Sequence, residues 1–123
     1  MIRRTLVAMI IFLLCLPYAA YCGEADVEQV KITNTGERTF RFDVTVRHAD
    51  TGWDHYADKW EVLAPDETVL GTRTLLHPHV DEQPFTRSLT GVAIPEAVGQ
   101  VTVRAHDSVH DYGGKTVTVD VSP

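Results

Sequence analysis

The chain has 123 residues, with 17 acidic and 11 basic side chains, six histidines and a formal net charge of −6. That length holds one core of ordinary size and leaves no room for a second domain. The acidic balance, without clustered Lys or Arg, excludes nucleic acid and anionic lipid as charge-recognised ligands. The first element is an export signal over residues 1–25. Arg3 and Arg4 form a basic head, residues 6–16 are an almost unbroken apolar run, and small residues (Ala19, Ala20, Gly23, Ala25) mark the exit. The run is short for a membrane-spanning helix. A retained anchor, a lipidated Cys22 and, from the Arg pair, a twin-arginine route are the alternatives. Cleavage after Cys22 and after Ala25 both fit the small-x-small rule.

Residues 26–123 then form the domain, with nine basic and sixteen acidic side chains and a net charge of −7. Both cysteines (Cys15, Cys22) and both methionines (Met1, Met9) precede it, so it has no internal disulfide and no sulfur ligand. All six histidines remain in it.

Seven short strands are predicted. Residues 27–34 alternate up to the turn cluster Asn34-Thr35-Gly36. Residues 39–48 carry the clearest period of two, with Phe40, Phe42, Val44 and Val46 on one face and Arg41, Asp43, Thr45 and Arg47 on the other. His48 continues the inward phase. After a polar loop with Trp53 and Tyr56, residues 59–63 place Trp60 and Val62 inward, and Pro65-Asp66 makes a tight turn. Residues 68–76 return as a strand that Gly71 interrupts, which suggests a bulge. Residues 85–92, 100–106 and 115–121 complete the set, and no segment has helical periodicity. Seven strands with one apolar face each must bury those faces against a second sheet. The expected fold is therefore an all-β, immunoglobulin-like antiparallel β-sandwich, with Trp60 as its central tryptophan.

If consecutive strands run antiparallel, alternate connections fall at opposite ends. The loops after residues 48, 76 and 106 then share one end, and His48, His55, His77, His79, His106 and His110 all lie there. The turns at the opposite end carry none. Loops on a rigid scaffold are where binding sites are usually placed. His77-Pro78-His79 in extended backbone presents two imidazoles on one face, and His106 and His110 leave a strand end together. Imidazole suits Zn²⁺ and Cu²⁺, whereas Cu⁺ prefers sulfur ligands that this domain lacks. We expect a metal site led by His77, His79, His106 and His110, with His55 or His48 as alternates. Asp81, Glu82 or Asp107 would orient the imidazoles. The bland reading is that these are ordinary loop histidines, with His48 closing the core and His106 solvated. Trp53, Tyr56 and Tyr112 read as lids over the upper core, and Asp107-Ser108 as an Asx turn.

Enzyme chemistry has little support. Ser88 or Ser108 with His110 and Asp107 or Asp111 can be written as a hydrolytic set, but no oxyanion hole or strained elbow accompanies it. No phosphate loop or dinucleotide fingerprint is present.

Three stretches, Trp53-Asp54-His55-Tyr56-Ala57-Asp58, residues 77–88 (His-Pro-His-Val-Asp-Glu-Gln-Pro-Phe-Thr-Arg-Ser) and Asp107-Ser108-Val109-His110, together resemble a family of small exported bacterial proteins without an assigned activity. The resemblance implies export and transfers no site residue. The expected function is a periplasmic or secreted carrier or buffer for Zn²⁺ or Cu²⁺, working with a periplasmic protein and not inserted in the membrane once its signal is removed. The rival is an immunoglobulin-like adhesion or assembly module that binds a protein or glycan without metal, through Trp53, Tyr56 and Phe85. The two differ in pH response, because metal binding needs neutral imidazoles.

Overall fold

The computed structural model describes residues 23–121; most of the export segment, Cys15 and Cys22 included, lies outside the described residues. Among the described residues there are seven strands: β1 (Asp26–Gly36), β2 (Thr39–Arg47), β3 (Ala57–Leu63), β4 (Val69–Thr74), β5 (Phe85–Ala93), β6 (Gln100–Asp107) and β7 (Val117–Asp120). One sheet has the order β1-β2-β5 and the other β4-β3-β6-β7, with every pairing antiparallel. The expected immunoglobulin-like sandwich is what forms, with β4 hydrogen-bonded to β3 in the larger sheet. Among the described residues no helix is long and apolar enough to cross a membrane.

The period-two pattern of β2 builds one wall of the core. Phe40, Phe42, Val44 and Val46 are buried against Trp60 and Val62 of β3 and Val101, Val103 and Ala105 of β6. Each fully buried side chain of this kind contributes roughly 1.5–3 kcal/mol. Since no disulfide ties the sheets, this apolar interface carries their union.

Two glycines adjust the pattern. Strict alternation along β5 would turn Val92 outward, yet Val92 is buried. The register slips between Phe40↔Val92 and Phe42↔Leu89, an extra residue that Gly91 accommodates at φ +69°. At Gly71 the register of β3 with β4 also slips, as the bulge expectation requires. A Cβ on Gly71 would lie 3.0 Å from Leu89 Cδ2 and 3.3 Å from Val92 Cγ2, so its absence lets β4 close on β5. Gly71→Ala is therefore expected to destabilise the domain by about 1 kcal/mol, because the crowded sheets must part. Urea unfolding checks this, and an unchanged midpoint would show that Leu89 simply swings aside.

The strand directions fix where the loops go. β1 begins beside the end of β2, with Asp26 opposite Arg47. The lead-in to β1, the β2–β3 loop, the β4–β5 loop and the β6–β7 loop thus share one end of the sandwich. Backbone hydrogen bonds stitch them together: Val27 N–H donates to Lys115 O (2.8 Å), Ser108 N–H to Tyr56 O (3.0 Å) and Leu75 N–H to Asp58 O (2.8 Å).

Candidate metal centre

His48 stands one residue beyond β2, in the inward phase of that strand, and is 2% exposed. Its two ring nitrogens each face a carboxylate: Nδ1 contacts Asp50 Oδ1 and Nε2 contacts Asp107 Oδ2. His55, from the same loop, brings its Nε2 to 2.6 Å from the same Asp107 Oδ2. His110 approaches from the β6–β7 loop, its Nδ1 3.4 Å from Asp107 Oδ1. The His55 ring centroid lies 4.9 Å from that of His48 and 4.9 Å from that of His110. The ligand atoms of His48, His55 and Asp107 all fall within 4.8 Å of one another, a spacing that suits a single ion.

Asp107 is 0% exposed and divides its work between its two oxygens. Oδ1 accepts the N–H groups of Val109 (2.6 Å) and His110 (2.7 Å), the expected Asx turn. That turn fixes the carboxylate plane and so aims Oδ2 at His48 and His55. Asp50 has a similar double role behind His48. Its Oδ1 also accepts Ala57 N–H (3.0 Å), and its Oδ2 accepts His79 N–H (2.6 Å). A carboxylate behind a histidine fixes its tautomer and raises its basicity as a ligand.

The electrostatics favour positive charge at this place. Burial works against the imidazolium of His48, but the Asp50 hydrogen bond, the Gly23 carbonyl and the charges of Asp50 and Asp107 together raise its pKa above the ordinary histidine value. Burial also opposes ionisation of Asp107. The His110 and Val109 N–H groups outweigh it, with His48 and His55 adding to them, and keep the acid below the usual carboxylate range. The centre therefore holds an ionised carboxylate among imidazoles in a water-poor setting.

The histidines expected to lead do not converge on one point. His110 joins the centre. His106 instead lies on the outer face of the larger sheet, with Nδ1 2.5 Å from Asp58 Oδ1 and Nε2 3.2 Å from Asp111 Oδ1. Its strand phase is outward, opposite to that of buried Ala105 and Asp107. His77 and His79 form a separate pair with ring centroids 4.5 Å apart. His79 is 5% exposed and stacks on Phe85 at 4.0 Å, and neither of its ring nitrogens has a partner. His77 is exposed, and its Nδ1 lies 2.9 Å from Pro78 O. Asp81 and Glu82 are exposed in that loop, and Glu82 pairs with Arg87 at 2.9 Å. His48 and His55, the alternates, lie at the centre together with His110.

Three further expectations meet the structure here. Phe85 is buried, so it offers no surface to a partner; Trp53, 67% exposed and edge-on to Tyr56 at 5.5 Å, does. Tyr112 lies not over the upper core but on the outer face of β3 and β6, its hydroxyl on Glu61 Oε1 and the Arg104 guanidinium 3.7 Å above its ring. Ser108 Oγ accepts Tyr56 N–H (3.1 Å), and Ser88 Oγ donates to Asp43 Oδ1 (2.5 Å), so neither faces an imidazole.

No family model matches the chain. A curated relative from Halomicrobium mukohataei, described as a "Putative lipoprotein", is 48% identical over 99 residues, which are 79% of this chain and 47% of the relative. The chain thus spans about half the length of the curated relative it matches. Among solved structures it is similar to the superoxide reductase (1Fe-SOR) from Giardia intestinalis. That match has a TM-score of 0.47 and 13% identity, and covers 78% of this chain and 99% of that one; at that level it bears on neither fold nor function.

His79 carries a pH dependence of its own. Burial, then the charges of Arg87 and His77, push its pKa below the ordinary value, while Asp50 and Glu82 pull the other way. The unfolded chain then takes up this proton first as pH falls through about 6.5, so stability drops from there towards the lower folded pKa. In chelator, His79→Phe keeps the ring stack and the backbone donor to Asp50 and should lose less stability between pH 7.5 and 5.5 than the unaltered chain. Equal losses in urea melts would assign the acid response to other groups.

Proposed function

We propose that this is an exported domain that binds a divalent transition metal, Zn²⁺ or Cu²⁺, through His48 Nε2, His55 Nε2, His110 Nδ1 and Asp107 Oδ2. The observation that carries the reading is the convergence of the His48 and His55 imidazole nitrogens on Asp107 Oδ2, with His110 Nδ1 beside the same carboxylate, from two loops. Asp50 backs His48 Nδ1, so the ring presents Nε2 to the oxygen of Asp107. Asp50 and Asp107 bury two carboxylates in one dry pocket, which calls for positive charge that a bound cation would supply. Imidazole and carboxylate without thiolate suit Zn²⁺ or Cu²⁺ better than Cu⁺.

The role we assign is holding and delivering the ion, as carrier or buffer, rather than catalysis. The name of the relative supports attachment to the cell envelope, with Cys22 the residue a lipid would modify. Calorimetric titration of the exported protein with Zn²⁺ and Cu²⁺ tests the site. One equivalent should bind, His48→Ala/His55→Ala should abolish it, and His77→Ala/His79→Ala should leave it in place. Loss in the second variant alone would move the site to the Phe85 side.

A further inference from the structure

We propose that the centre takes a further ligand from the main chain, the carbonyl oxygen of Gly23, and that the strap of residues 23–26 is thereby part of the metal site. This rests on the metal reading above and adds to it. Gly23 O lies 2.7 Å from His48 Nε2, 3.1 Å from His55 Nε2 and 3.2 Å from His110 Nδ1. One acceptor thus faces three imidazoles carried by two different loops. A carbonyl oxygen only accepts, at two lone pairs, so three rings exceed what it can satisfy as hydrogen-bond donors. A cation shared by the rings and this oxygen resolves that excess, as it does beside the buried carboxylate of Asp107.

The chain is shaped to deliver that oxygen. Gly23 has φ +89°, and a Cβ there would come 2.5 Å from His55 Cε1 and from His110 Nδ1. No other residue type fits without opening the centre. On its far side the strap lies against two more glycines. A Cβ on Gly114 would fall 2.8 Å from Asp26 Oδ1 and closer still to the Ala25 carbonyl, while one on Gly113 would meet only the mobile end of Glu24. Ala25 is buried in the core, and Asp26 Oδ1 accepts Lys115 N–H at 2.7 Å. The strap is therefore pinned immediately after the residue it contributes.

The donor set becomes three nitrogens and two oxygens from the β1 lead-in, the β2–β3 loop and the β6–β7 loop. It also bears on export. Cleavage after Ala25 would remove the oxygen, whereas cleavage or lipid attachment at Cys22 would leave it in place. The metal-binding form is the one that retains Gly23.

Zn²⁺ and Cu²⁺ affinities of the full chain, by competition calorimetry, test this with three glycine variants and Asp107→Asn. Gly23→Ala and Gly114→Ala should each lose tenfold or more, the second without touching any imidazole, and Gly113→Ala should stay within twofold. Should Gly114→Ala fail to fold, the unaltered protein labelled with carbonyl-¹³C glycine and loaded with Cu²⁺ gives an independent readout. A large ¹³C hyperfine coupling in pulsed EPR marks a directly bound carbonyl, and its absence would overturn the proposal. Folded Gly23→Ala and Gly114→Ala proteins with unchanged affinity would overturn it too, while loss in Asp107→Asn kept the metal reading intact. Unchanged binding in Asp107→Asn would instead sink the reading of a metal centre at Asp107.

Discussion

Asp107→Asn should cost the protein its metal while leaving the sandwich folded, the sharpest functional effect we expect from one substitution. The asparagine keeps an oxygen where Oδ1 accepts the Val109 and His110 N–H groups, so the turn that shapes the β6–β7 loop survives. What changes is the other position. An amide donor replaces the oxygen that His48 and His55 share, and the negative charge is gone. Loss of a ligand should exceed the roughly 10–100-fold typical of a carboxylate behind a ligand. We therefore expect a fall in affinity of more than about 100-fold, set against a smaller fall in Asp50→Asn, where only the support of His48 is weakened. Asp107→Ala would not separate these effects, because it removes the turn acceptor as well. Calorimetric titration with circular dichroism as the fold control reads all three. Asp107→Asn binding as well as the unaltered chain, with Asp50→Asn the weaker binder, would place the ion on the other side of His48.

Much of the fold was legible because alternation is a local signal and the core obeys it. Residues 39–48 announced β2 and its buried face, and the antiparallel rule sent every histidine-bearing loop to one end. Legibility failed where a single residue shifts the phase, as at Gly91, whose bulge returns Val92 to the core. The centre was half legible. The inward phase of His48 pointed to burial, but burial alone reads as core filling, and its partners Asp50 and Asp107 are 2 and 59 residues away. Asp107 looked like a turn former, and it is one; that its second oxygen faces two imidazoles depends on tertiary contacts no spacing reveals. His77-x-His79 was the most conspicuous pair, yet the Asp50 carboxylate draws the His79 backbone inward and sets its ring flat on Phe85. The strap of residues 23–26 is hard to see in the sequence because it straddles the boundary between the export signal and the domain. Its clue was the direction of β1, which starts at the histidine end.

Metal should raise the melting temperature of the domain by roughly 10–20 °C over the chelated protein, and most of that shift should vanish in Asp107→Asn. An ion present at about a hundred times its dissociation constant stabilises the folded state by about 2.7 kcal/mol. For a domain of about 100 residues each kcal/mol moves the midpoint by roughly 4–8 °C. The location of the centre makes this a property of the whole fold. His48 ends β2 in the smaller sheet, Asp107 ends β6 in the larger one, and no disulfide joins them. An ion between these side chains crosslinks the two sheets at the end where four separate segments must stay together. The chelated protein keeps Asp50 and Asp107 buried around one imidazole, whose pKa they raise against its burial, so the ring is the substitute for the missing cation that the two acids share. That substitute is weaker than a divalent ion, which is why the chelated form should melt first. Differential scanning calorimetry with Zn²⁺ and with chelator decides the matter. His77→Ala/His79→Ala should retain the shift between the two conditions even though its own melting point falls. A shift that survives in Asp107→Asn but disappears in the His77/His79 variant would mean that the stabilising ion sits beside Phe85 and not between the sheets.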